Sequence, residues 1–250
     1  MGKPAGQQDS IVGRGNRDGA ALIRAWYEEL SASARDGRPA AYVFVMGSLA
    51  EVLRAFDLPV VFPEINSLQT AVRHVAHEYL AEAEEYGYSP DICGYVKADV
   101  AVQLRGGGHP MGRIPKPAVA VLTNACNTYI KWAEIWERMH GIPVFTLDVP
   151  GSRTEGGAAF AGDGFENDKR YVLTQLRELI SLCERVTGRA FDIDRFREAL
   201  VHANTVSRSW KRVLALNASR PSVFNALTAG PIYLGDANGL RGLPSGAGYF

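Results

Sequence analysis

Two cysteines are the residues best placed for chemistry: Cys93 in SPDICGYVKAD and Cys126 in VAVLTNACNTYIKWAEIW. Each follows an apolar run that reads as a buried strand, and each opens a segment with helical spacing. Thiols at two neighbouring strand ends can face one crevice, the place where open α/β sheets put their chemistry. A helix start also favours the thiolate, which is the form that binds metal. The residues alone leave two readings open: a pair of ligands, or two buried structural thiols.

Other chemistry-bearing residues read more simply. Cys183 lies on an apolar helical stripe with Leu176, Leu179, Ile180 and Val186, as a small hydrophobe would. His74 and His77 form an H-x-x-H pair on a single expected helix, with no further ligand signalled nearby. Gly106, Gly107 and Gly108 lack the G-K-[ST] ending of a phosphate loop and read as a flexible connection. Its Arg105, His109, Arg113 and Lys116 could touch an anionic ligand. Trp132 and Trp136, one helical turn apart, read as core or interface aromatics.

The elements that must hold these residues alternate between strands and helices. Apolar runs place strands near 41–46, 59–63, 118–123 and 143–147, with helices over 20–34, 68–86, 97–104 and 127–140 and a helix after Ser48 as its cap. This alternation predicts an α/β fold, a parallel Rossmann-like sheet flanked by helices. The expected organisation is an arm over residues 1–18, an α/β domain over 19–150 and a loop over 151–164. A helical segment over 165–230 follows, with helices near 165–187, 192–217 and 221–229. Residues 231–250 are rich in Gly and read as the start of an incomplete second α/β domain without a clear element.

Composition bounds the function. The chain has 27 basic and 27 acidic residues, so it offers no net positive charge for nucleic acid. No apolar run is long enough for a membrane span, and the first residues lack the apolar core of a signal peptide. Three scattered cysteines do not make a disulfide framework, so a reducing, cytoplasmic location is expected.

Three segments together carry a family resemblance: YVFVMGSLAEVLRAFDLPVVFPEINSLQTAVRHVAHEYL, SPDICGYVKADVAVQLRGGGHPMGRIPKP and TNACNTYIKWAEIWERMHGIPVFTLDVPG. The chain resembles the 2-hydroxyacyl-CoA dehydratase and benzoyl-CoA reductase superfamily, and within it the beta-type subunit of ATP-dependent benzoyl-CoA reductase. The resemblance implies a [4Fe–4S] cluster held by three cysteines, with Cys93 and Cys126 matching two ligand positions and the third expected beyond Phe250. It therefore implies a chain truncated at its C-terminal side, lacking the domain that would cover the apolar stripes after residue 165. Asn124, Asn127 and Tyr95 could donate hydrogen bonds near such a cluster, and Glu64, Asn66 and Ser48, at the ends of the first two strands, are further candidates for the same crevice.

The implied partners are a related cluster-bearing subunit, an ATPase subunit pair that binds ATP and a further cluster, and a ferredoxin. The implied substrate is an aromatic acyl-CoA thioester, benzoyl-CoA reduced to a cyclohexadiene-carbonyl-CoA. A 2-hydroxyacyl-CoA dehydratase subunit and a cluster-free assembly subunit or fragment are the competing readings.

Overall fold

The computed structural model describes residues 14–151, 162–222, 230 and 232–250. Helix α1 (Arg14–Arg35) comes first, so residues 14–18 of the expected arm are helical. Its stripe Ile23, Trp26, Tyr27 and Leu30 is buried. Strand β1 (Ala40–Val43), α2 (Ala50–Arg54), β2 (Val60–Val61), α3 (Pro63–Val72), α4 (Ala76–Tyr86) and α5 (Gly94–Leu104) follow. A small hairpin, β3 (Gly108–His109) and β4 (Gly112–Arg113), occupies the glycine-rich connection. Then come β5 (Pro117–Thr123), α6 (Asn127–His140), β6 (Val144–Leu147), α7 (Gly162–Thr187) and α8 (Ile193–Leu216).

The main sheet has the order β2-β1-β5-β6, and every pair is parallel. From β1 the chain goes first to β2 on one side and later to β5 on the other. The order therefore reverses between β1 and β5, the position at which such sheets open a crevice at their carboxyl ends. The strands form because they are continuous apolar runs: all of β1 is buried, and so is nearly all of β5.

The structure departs from the expected elements at several points. The expected helix 68–86 is two helices. His74 takes a left-handed φ of 60°, and Val75 N–H bonds Thr70 O while His74 N–H bonds Ala71 O. This pair of bonds is a Schellman turn, which ends α3 before α4 starts. His74 and His77 therefore do not share a helix.

Ser48 does not cap α2. The cap position is Leu49, left-handed at φ 49° and without a side-chain cap bond. The second strand is only Val60–Val61, because Pro63 opens a helix, its favoured first-turn position. No strand leads into Cys93, which follows a turn after α4.

Residues 232–250 do form elements, a π-helical turn Ile232–Ala237 and a final helix Pro244–Tyr249. Leu240 enters the core, and Arg54 ties this segment to α2 through its Nε to Arg241 O at 2.5 Å and Nη2 to Gly239 O at 2.9 Å. The expected helix over 221–229 lies almost wholly outside the described residues. Among the described residues no helix is long and apolar enough to cross a membrane.

Candidate functional site

The site builds up from the carboxyl ends of β1, β2 and β5. Glu64 lies just past β2, and its side chain reaches across to the end of β1. Its Oε2 accepts from Val45 N–H at 2.6 Å and its Oε1 accepts from Tyr129 Oη–H at 2.6 Å. Glu64 is 9% exposed, and burial raises its pKa above the ordinary carboxylate value against the lowering effect of these two bonds. Burial and the bond to Glu64 also push the Tyr129 phenol well up, with the Met46 backbone bond opposing and the nearby Cys126 adding. The loop after β1 closes on β5 at Gly47, whose φ is +70°. A Cβ there would lie 2.7 Å from the Thr123 methyl, so only glycine allows the approach.

The two cysteines take the cap position of α5 and α6, respectively. Neither cap uses a side-chain hydrogen bond, which leaves first-turn N–H groups available to stabilise thiolates. Cys93 is exposed, Cys126 is partly exposed and both are free, so neither is a buried structural thiol.

Their helices are joined by one seam. Asp99 Oδ2 accepts from Trp132 Nε1 and from Trp136 Nε1, both at 2.7 Å, and Asp99 Oδ1 accepts from Gln103 Nε2 at 3.0 Å. His140 Nε2–H donates to Gln103 Oε1 at 2.9 Å. The contacts advance in the same direction on both helices, with 99 against 132 and 136 and 103 against 140. The helices thus run parallel along the seam, and each cysteine precedes its first seam residue by six positions. Both thiols stand at the same end of the pair, about 9 Å of helix rise beyond the seam.

Glu64 acts electrostatically on the first turns of both helices: after burial, its charge and that of Cys93 raise the Tyr95 pKa, and its charge and that of Cys126 help raise that of Tyr129.

A cleft of about 780 Å³ opens beside Glu64 and Tyr129. Val45, Met46, Val52, Phe196 and Leu200 make it largely apolar, with Ser48 on its wall and the Glu51–Arg241 ion pair, 2.7 Å long, also lining it. The volume falls within the range of roughly 300–1,000 Å³ usual for small-molecule sites. A second hollow, about 390 Å³, lies near Trp26, Arg38 and Arg54 at the amino ends of β1 and β2.

The remaining candidates divide. Tyr95 is 39% exposed, on the first turn of α5, with its backbone O held by Ser67 Oγ–H at 2.8 Å. Asn127 is exposed on the first turn of α6. Asn124 has its amide occupied: its Nδ2 donates to Asp148 Oδ1 at 2.6 Å and Val149 O at 3.0 Å, and its Oδ1 accepts from Val149 N–H at 3.1 Å. It braces the ends of β5 and β6. Asn66 is fully buried and turned to α1, where its Oδ1 accepts from Tyr27 Oη–H at 3.0 Å. It is a core residue, away from the crevice.

Cys183 is buried, with its thiol pushed up to about 12 by desolvation. His109 is also buried, stacked on Tyr27, and Arg105 pairs with Glu82 at 2.6 Å, so the expected anion-facing set of the glycine-rich loop is not assembled. Tyr129, Asp99 and the seam escaped the sequence reading. The available signal was Asp99, a charged residue in the middle of the apolar helix GYVKADVAVQL.

Residues 47–237 match the family described as 2-hydroxyglutaryl-CoA dehydratase, D-component. The chain belongs to this family. Among curated proteins, a benzoyl-CoA reductase subunit of Thauera aromatica is 32% identical over 219 residues, covering 86% of this chain and 49% of the relative. The (R)-phenyllactyl-CoA dehydratase alpha subunit of Clostridium sporogenes is 28% identical over 176 residues, 70% of this chain and 41% of the relative. The (R)-2-hydroxyisocaproyl-CoA dehydratase alpha subunit of Clostridioides difficile is 29% identical over 208 residues, 82% and 48% respectively. The chain spans about half the length of the curated relatives it matches.

For this dehydratase-family chain, the donor set can be tested against an iron–sulfur cluster. Thiols at uncapped helix starts are suitable ligands. Among the described residues no three His, Cys, Asp or Glu side chains come together as a metal-binding group. The chain thus offers two thiols of the right kind.

Proposed function

We propose that this chain is the part of a benzoyl-CoA reductase subunit that supplies Cys93 and Cys126 to a [4Fe–4S] cluster, with a third thiolate from sequence beyond Phe250. The observation that carries the reading is the pair of free cysteines at the starts of two helices that run parallel along the Asp99 seam. A bound cluster would deliver single electrons of low potential to the substrate. Those electrons would come from ferredoxin through an ATPase subunit pair holding a further cluster, and a related cluster-bearing subunit would complete the catalytic half.

The chain's own residues would handle binding and protons. The apolar cleft beside Glu64 takes the acyl part of an aromatic acyl-CoA and keeps water from it. Glu64, with its pKa raised by burial, holds a proton on its carboxyl and gives it to a substrate in the cleft. The carboxylate left behind keeps the Tyr129 hydroxyl and the Val45 N–H as donors. Tyr95 and Asn127 would serve as hydrogen-bond donors near the thiols, and Asn124 would brace the ends of β5 and β6 beside them. The product would be a cyclohexadiene-carbonyl-CoA. The protein would work in the cytoplasm.

A second reading, a 2-hydroxyacyl-CoA dehydratase subunit, is favoured by the family match and by the two dehydratase relatives. Reconstitution of the full-length subunit and its partner with iron and sulfide tests both. Cys93→Ser and Cys126→Ser should each remove the cluster's electron paramagnetic resonance signal and the activity, and an unchanged signal in either would refute the ligand role. Benzoyl-CoA reduction supports the first reading; dehydration of a 2-hydroxyacyl-CoA in its place supports the second. A full-length protein without cluster or turnover would refute both and leave a role in assembly.

A further inference from the structure

We infer that Asp99 is a positioning residue for the two-thiol site: it fixes the distance between Cys93 and Cys126 by receiving both indole N–H groups of α6 on one carboxylate oxygen. The inference rests on the reading that the two cysteines share a site.

Three observations carry it. First, Asp99 is 0% exposed and lies on α5, one helix away from the tryptophans it bonds. A buried carboxylate needs donors of its own, and here the α6 indoles supply two of the three it receives. Second, α6 is otherwise held by aromatic contact with β1 and the residue after it. Phe44 stacks on Tyr129 at 3.8 Å and on Trp136 at 5.3 Å, and Tyr42 meets Trp136 edge-on at 5.1 Å. Those contacts allow sliding along the ring faces, whereas two N–H donors meeting one oxygen do not. Third, the start of α5 is anchored separately. Lys97 Nζ bonds Glu84 Oε1 at 2.5 Å and Pro90 O at 2.9 Å, and Ser67 bonds Tyr95 O. With α5 fixed to α3 and α4, the Asp99 bonds determine where α6, and so Cys126, stands relative to Cys93. They also set the place of Tyr129, three residues after Cys126, and therefore its bond to Glu64.

The shape of the acceptor matters here more than its charge. Asparagine has the same size and keeps a carbonyl oxygen that can receive both indoles. Leucine has similar bulk and receives neither.

The test is thiol-to-thiol reach in the cluster-free full-length protein. Dibromobimane and bis-maleimides of increasing span are the probes, and the Cys93–Cys126 crosslink is read by peptide mass. The native protein should crosslink with short reagents, and Asp99→Asn should match it. Asp99→Leu should lose the short crosslink by tenfold or more, or shift it to longer reagents.

If Asp99→Leu does not fold, Trp132→Phe and Trp136→Phe each remove one donor and keep the ring, and each should broaden the preferred span. An Asp99→Leu profile equal to the native one, or single tryptophan variants that leave it unchanged, would overturn the inference while the shared site stands. A native protein that forms no crosslink at any span would overturn the shared site itself, and the inference with it. Loss of the short crosslink in Asp99→Asn as well would show that charge, not the acceptor's shape, sets the spacing, and would refute the inference as stated.

Discussion

Tyr129→Phe removes the one hydroxyl that links Glu64 to the loop after β1. The ring stays stacked on Phe44, so packing changes little. What is lost is the 2.6 Å donation from Tyr129 to Glu64 and the Met46 backbone bond to the phenol oxygen, and only the first depends on the state of Glu64. To an ionised carboxylate such a bond contributes about 1.5–3 kcal/mol, and to a neutral carboxyl about 0.5–1.5 kcal/mol. The cost of the variant therefore depends on the state of Glu64.

Burial raises the Glu64 pKa above its ordinary 4.5. Over that interval the folded chain holds a proton that the unfolded chain has released. This contribution to stability is full below the ordinary value and is lost as pH rises through the folded value. Removing Tyr129, a donor that favours the carboxylate, moves the folded value further up. Urea unfolding of both chains over a range of pH should give a penalty that is small in acid and grows by about 1–1.5 kcal/mol once Glu64 ionises. A penalty independent of pH, or one larger in acid, would refute the account of a buried, titrating Glu64 held by Tyr129.

Two further predictions concern buried titrating groups elsewhere. Burial pushes His109 down to about 4 from 6.5, so its stabilising neutral form is fully effective above 6.5 and is lost as pH falls toward 4. Ring resonances in nuclear magnetic resonance should titrate with a midpoint of about 4, and a midpoint at the ordinary value would show an exposed ring. Asp236 is buried, its Oδ1 has no hydrogen-bond partner among the described residues, and desolvation raises it from 3.8 to about 7. Its contribution is lost as pH rises through about 7, so Asp236→Asn should match the native melting temperature in acid and exceed it in alkali. The gain should reach up to about 4 kcal/mol. A variant less stable than the native chain in alkali would refute it.

The parallel sheet was legible because β1 and β5 are continuous apolar runs, a pattern that buried parallel strands require. The thiols at the starts of α5 and α6 were legible from the helical spacing after each, although the strand expected before Cys93 is a turn. The break between α3 and α4 was not, because its left-handed residue is His74 rather than glycine. The Glu64–Tyr129 bond was hidden for a different reason. Its partners are 65 positions apart, and neither residue type is unusual in its own segment. Asn66 misled because nearness to a strand end says nothing about side-chain direction, and here the side chain turns inward to Tyr27. Trp132 and Trp136 were visible as aromatics one helical turn apart, but their own segment does not show the acceptor that Asp99 supplies from another helix.

The equal six-residue steps from Cys93 to Asp99 and from Cys126 to Trp132 carry a consequence for how chains of this family can diverge. Apart from Lys97 and Tyr129, side chains along those steps can vary while the helix phase is kept. A single residue inserted or deleted within either step would swing its thiol by about 100° around the helix axis and shift it by about 1.5 Å. In alignments of these chains, a gap inside 93–99 or 126–132 should mark a member whose two thiols stand differently relative to the seam, even where both cysteines are retained.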